Sequence, residues 1–104
     1  MIVLFDRLFG LGKQRYRTRA TSELFEFEFV RQSDGQVRIY IDRQPSYGYR
    51  SADLQSTHRY YENGRYFICI MDHLAPRNSA EAFTWADYFA LNTIRYIQTG
   101  QTFS

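Results

Sequence analysis

One cysteine, two prolines and one lysine are spread through 104 residues. Cys69 alone excludes an internal disulfide framework, and a lone thiol points to a reducing compartment, so a bacterial or eukaryotic cytoplasmic location is expected. No run of about 18 uncharged apolar residues occurs, which excludes a membrane-spanning helix. The apolar start, Met1 to Leu11, has no basic segment before it and is broken by Asp6 and Arg7, so it reads as mature fold rather than signal peptide. Charge of one sign is scarce as well, because a net +2 is too small to indicate nucleic acid by itself. The near absence of lysine suits a protein working beside lysine-modifying chemistry, since Arg is no amine nucleophile at neutral pH; a genome that prefers Arg explains the same count more simply.

Aromatic residues are what the chain has in excess. Nine Tyr, nine Phe and one Trp bring large buried areas to a chain whose length suits one domain spanning residues 1–104. Residues 2–9 set Ile2, Val3, Phe5, Leu8 and Phe9 at helical spacing before Gly10 and Gly12, predicting a short N-terminal helix. Lys13, Arg15, Arg17 and Arg19 then alternate in an acid-free stretch, which reads as a solvated linker in preference to a phosphate-binding arm. Leu24 to Arg31 alternates Phe25, Phe27 and Phe29 with Glu26 and Glu28, the pattern of a half-buried strand. After the turn residues Ser33-Asp34-Gly35-Gln36, Val37, Ile39 and Ile41 alternate in a second strand, placing Arg38 to meet Glu26 or Glu28 across the hairpin.

Residues 43–56, with Pro45 and Gly48, read as a long loop anchored to the core by Tyr47 and Tyr49. A second hairpin follows, with Asn63-Gly64 as its turn between Thr57–Tyr61 and Arg65–Met71. Asn78 and Glu81 have the spacing of a capping box, and Ala82, Phe83, Ala86, Phe89, Ala90, Ile94 and Ile97 form one helical stripe that Gly100 ends. The expected fold class is α+β: a short N-terminal helix, a four-stranded antiparallel sheet of two hairpins, and a long C-terminal helix on one face.

Cys69 is the candidate nucleophile, with His58, Asp72 and His73 near it in sequence, although a thiol inside the apolar run Tyr66–Met71 is more often an inert core residue. Cys69, His58 and His73 lack the paired spacings of zinc modules, so neither a metal nor another cofactor is expected. Trp85 and Tyr88 on the long helix are candidate partner-binding anchors, to which Tyr60 is added from the second hairpin. Tyr60, Tyr61 and Tyr66 are also candidates for stacking bases, with Arg15, Arg17 and Arg19 as the accompanying cations, in a minor RNA-binding reading.

His58, Asn63-Gly64, Ile68-Cys69-Ile70, Thr84-Trp85-Ala86 and Tyr96-Ile97-Gln98-Thr99-Gly100 together resemble the C-terminal half of bacterial ubiquitin-conjugating-enzyme-like proteins, over about residues 37–103. The resemblance implies an N-terminal helix, a four-stranded meander and a helix behind the cysteine. It also implies that Cys69 matches the cysteine that carries a ubiquitin-like C terminus as a thioester, and that His58 matches the His of the His-Pro-Asn motif. Here Arg59 and Tyr60 follow His58, so the Asn that stabilises the oxyanion is missing, a donor commonly worth about two or more orders of magnitude in rate. An inactive variant that binds a ubiquitin-like protein or an activating enzyme fits that departure better than a competent enzyme. The competing class is a small non-enzymatic interaction domain that pairs with another protein or with itself as a homodimer.

Overall fold

The computed structural model describes residues 3–5, 10–18 and 22–103. Its strands are β1 (Val3–Phe5), β2 (Gly12–Thr18), β3 (Leu24–Arg31), β4 (Val37–Arg43), β5 (Arg59–Glu62) and β6 (Arg65–Ile68). Two helices, α1 (Leu54–Thr57) and α2 (Ser79–Thr99), and a 3-10 turn at Asp72–Leu74 complete the described elements. The strands form one antiparallel sheet in the order β1-β2-β3-β4-β6-β5, so β5 is an edge strand and β6 separates it from β4.

Alternation decides which side chains meet. Phe25, Phe27 and Phe29 of β3 and Val37, Ile39 and Ile41 of β4 fall on one face with Tyr16 of β2, and all are buried. Helix α2 lies over this face, and its inward residues include Ala82, Ala86 and Ala90, whose small side chains let the helix settle onto the phenylalanines. Phe89 rests edge-on against the stacked Phe25 and Phe27, at 6.4 and 6.2 Å between ring centroids. The start of α2 is fixed by Asn78, whose side chain accepts from the Glu81 N–H at 2.9 Å, while Glu81 Oε1 accepts from the Arg77 N–H at 2.8 Å. At the other end Gly100 takes φ 78°, and Arg50 donates to the carbonyls of Ile97 and Gln98, groups that no helical N–H reaches.

The long C-terminal helix, the antiparallel sheet and the Asn63-Gly64 turn stand as the sequence predicts, the turn having φ 53° and 78° at its two central residues. Other expectations are corrected. Among the described residues six strands are present in place of four. No N-terminal helix forms at Val3–Phe5, which is strand β1, paired with Tyr16–Thr18; the remainder of that expected helix, including Ile2, Leu8 and Phe9, lies outside the described residues. Eight residues are too few for helical spacing to outweigh pairing with an available strand edge. The expected linker is strand β2, because Gln14 and Tyr16 alternate with the cations and point into the core. Arg38 sits opposite Val30 and bonds Glu62 of β5 at 2.9 Å, so its partner comes from the second hairpin. Tyr47 packs edge-on to Tyr96 as an anchor, but Tyr49 is 92% exposed and anchors nothing.

Among the described residues, no helix covers the opposite face of the sheet. It is a lattice of opposite charges: Lys13 meets Asp42 at 2.9 Å and Glu28 at 3.4 Å, and Arg65 meets the same two carboxylates at 2.8 and 2.9 Å. A register shift between β3 and β4 at Glu26/Phe27 accommodates Asp42 in this group. Burial pushes the Asp42 carboxyl up, but its hydrogen bonds with Lys13 and Arg65 outweigh that and hold it below the usual carboxylate range. The Arg guanidinium planes also cover the aromatics of this face, Arg65 at 3.8 Å from the Tyr40 centroid and Arg38 at 4.0 Å from that of Phe67.

Candidate partner-binding site

The β5–β6 hairpin and the adjoining side of α2 gather most of the residues that the sequence singles out. His58 follows α1 and precedes β5, in the left-handed conformation at φ 55°, where it ends the one-turn helix. Cys69 comes directly after β6 and donates its backbone N–H to the His58 carbonyl at 2.9 Å. This bond adds one link beyond the last paired residues of the hairpin, Arg59 and Ile68, while the His58 N–H turns back to the Gln55 carbonyl. His58 and Cys69 border a cavity of about 40 Å³, roofed by Trp85, Tyr88 and Phe103. That volume matches about one water molecule.

Aromatic contact rather than polar contact organises the cavity. The His58 ring stacks on Phe103 with centroids 4.6 Å apart, and Phe103 in turn packs on Phe89 at 5.8 Å and Tyr88 at 6.3 Å. Trp85 lies edge-on to Tyr88 at 5.9 Å. Among the described residues, no carboxylate or amide side chain is hydrogen-bonded to the His58 ring. A hydrolytic or transfer mechanism would need such an orienting group. The neighbouring Cys69 holds the Tyr60 phenol's pKa above its ordinary value. No group of three or more His, Cys, Asp or Glu placed to hold a metal occurs among the described residues.

Tyr60, Tyr61 and Tyr66 do not form one stacking platform. Tyr60 pairs across with Phe67 on the uncovered face, whereas Tyr61 pairs with Tyr66 on the face that carries α2. They surround the sheet edge instead, 50%, 54% and 37% exposed. Of the cations in the RNA reading, Arg15 lies 3.8 Å from Glu26; Arg17 contributes its backbone to β2, and Arg19 lies outside the described residues. Among the described side chains of the open face, Lys13, Arg15, Arg38 and Arg65 are each matched with a carboxylate.

Arg59 is the residue of this region that sequence reasoning misses. Its side chain is buried to 7% exposure, with Nε donating to Thr57 Oγ1 at 2.9 Å and Nη2 to the Ala52 carbonyl at 3.0 Å. The guanidinium lies 4.0 Å from the Tyr66 centroid and 5.0 Å from that of Tyr47. Rings and neutral oxygens, rather than a carboxylate, hold this cation. Only the tertiary structure reveals this, because Tyr47 and Tyr66 approach Arg59 from a separate loop and from β6. In comparisons with protein-family models, curated proteins and solved structures, none matches the chain.

Proposed function

We propose that this chain is a non-catalytic protein-interaction domain that takes an extended segment of its partner along β5. The observation that carries the reading is the state of that edge. β6 lies on one side of β5 only, and aromatic side chains stand exposed around the strand on both faces of the sheet. Exposed strand edges bind extended chains through backbone hydrogen bonds, and neighbouring aromatics supply contact area and selectivity. Trp85 and Tyr88, on the nearby flank of α2, extend the same apolar border. The test is a quantitative pull-down with immobilised wild type and with Tyr61→Pro, which removes an N–H that the hairpin's hydrogen-bond phase, set by the Cys69 N–H on the His58 carbonyl, turns away from β6. A set of proteins held by the wild type and lost by the variant is expected; the same set on both refutes the reading.

A second reading draws on one observation, that His58 and Cys69 border the same cavity. In it the chain is a conjugating-enzyme-like protein that carries a ubiquitin-like C terminus on the Cys69 sulfur. That reading expects a reductant-sensitive adduct on incubation with an activating enzyme, ATP and a ubiquitin-like protein. An adduct that survives Cys69→Ser, or no adduct at all, ends it. The small volume beside the thiol and the lack of an Asn after His58 favour the interaction domain over the enzyme.

A further inference from the structure

We infer that the cleft where β4 and β6 part is a binding site for a ligand that joins an amide to a cation, the chemistry of a basic residue with its peptide group. β4 runs from Val37 to Arg43, yet it pairs with β6 only at Tyr40↔Phe67 and Ile41↔Tyr66. Beyond Tyr40 that pairing stops, and the Val37 N–H donates to the Pro76 carbonyl at 2.8 Å instead. The chain from Phe67 to Pro76 thereby closes around a cavity of about 400 Å³, a size ordinary for a ligand pocket. The cleft lies across β6 from the free edge of β5, so the inference stands apart from the edge-binding reading.

Both walls of the cleft turn main-chain groups into it. The Gln36 carbonyl accepts from Gln32 on the β3 side while the Val37 N–H bonds Pro76 on the other, so alternation points the Ile39 N–H toward the cleft. On the opposite wall the Cys69 N–H bonds His58 on the β5 side, which turns the Ile68 carbonyl toward β4. Ile39 and Ile68 are next in register but do not pair, and among the described residues neither the Ile39 N–H nor the Ile68 carbonyl has another partner. Both residues line the cavity and are buried, at 1% and 7% exposure. Buried main-chain groups are nearly always satisfied, so a donor on one wall and an acceptor on the other call for a group that offers the reverse of each. An amide does this with its own C=O and N–H. Water does so too, and the charge of the rim is what selects a solute. The Asp72 carboxylate makes no hydrogen bond or ion pair among the described residues, and that of Asp34 accepts only from the Gln36 N–H at 3.0 Å. Arg38, the cation of the rim, is already taken by Glu62 at 2.9 Å. The unmatched charge is therefore negative, and its complement is a cation.

The test is a heteronuclear NMR titration of the full chain, as wild type and as Asp72→Asn, an exposed substitution that leaves the core untouched. Three probes separate the two halves of the ligand: acetylarginine amide carries both, acetylcitrulline amide keeps the amide without the charge, and agmatine keeps the guanidinium without the amide. With acetylarginine amide, the wild type is expected to show a saturable shift of the Ile39 amide resonance. Each of the other probes should bind about threefold more weakly or worse, and Asp72→Asn should lose about the same factor for acetylarginine amide. An unmoved Ile39 resonance leaves water as the only occupant and overturns the inference. So does a probe lacking the charge or the amide that binds as tightly, or an Asp72→Asn variant that binds as well as the wild type.

Discussion

Replacing Tyr16 with Phe removes one hydroxyl from the middle of the molecule without opening a hole. Tyr16 is fully buried, edge-on to Phe25 and Phe27 at 6.0 and 6.3 Å, and its hydroxyl donates to Asp87 Oδ1 at 2.5 Å, tying β2 to α2. Phe keeps the ring contacts, so the cost is that of leaving the half-buried carboxylate without this donor. Hydrogen bonds to charged groups contribute about 1.5–3 kcal/mol, and that is the loss expected in urea unfolding at pH 7, with an unchanged m value. The pH dependence supplies an independent check. Burial, reinforced by Asp87, pushes the Tyr16 hydroxyl well above its ordinary pKa of 10.0. Above pH 10 the unfolded chain therefore releases this proton while the folded chain keeps it, and stability falls as pH rises. The slope from one such group is about 1.4 kcal/mol per pH unit, so the advantage of wild type over Tyr16→Phe must shrink at that rate above pH 10. A loss below about 0.5 kcal/mol at pH 7, or a difference constant between pH 7 and about pH 11, refutes the reasoning.

Phe89→Ala removes the ring that α2 sets edge-on against Phe25 and Phe27; a loss of about 3–5 kcal/mol is expected in a thermal melt or urea titration, and one below about 1 kcal/mol would mean that the site collapses freely. Gly100→Ala forces a left-handed residue to carry a Cβ that meets Arg50 Nη1 at 2.8 Å, so backbone strain and a displaced helix cap together should cost about 1–3 kcal/mol by urea unfolding, well above an ordinary surface substitution. Phe103→Ala uncovers the cavity beside Cys69, and alkylation of the native thiol should quicken several-fold; an unchanged rate would show that Phe103 does not shield it.

How much of the molecule is legible in its sequence depends on the distance over which each cause acts. The phenylalanines of β3, the Asn63-Gly64 turn and the cap and stripe of α2 act within a few residues, and each forms as its local pattern requires. Val3–Phe5 is the counterexample, since a stretch that suits a helix alone becomes a strand once Tyr16–Thr18 offers an edge. Among the candidate site residues, Cys69 and His58 are named by chemistry, but the bond from the Cys69 N–H to the His58 carbonyl depends on hairpin register. Arg15 is read from the alternation of Lys13, Arg15, Arg17 and Arg19 along an acid-free stretch, yet its match with Glu26 needs β2 to lie beside β3.

The sequence by itself determined the α+β class, the two hairpin turns, the long helix and the residue types that line its inner face. All of these follow from side-chain period and turn chemistry, which operate along the chain. The tertiary structure alone decided that β6 lies beside β4 and leaves β5 at the edge, that Arg59 is held by Tyr47 and Tyr66, and that Phe103 closes the space over Cys69. Strand order and ring packing are settled by which faces bury the most apolar area together, a quantity shared among segments distant in sequence.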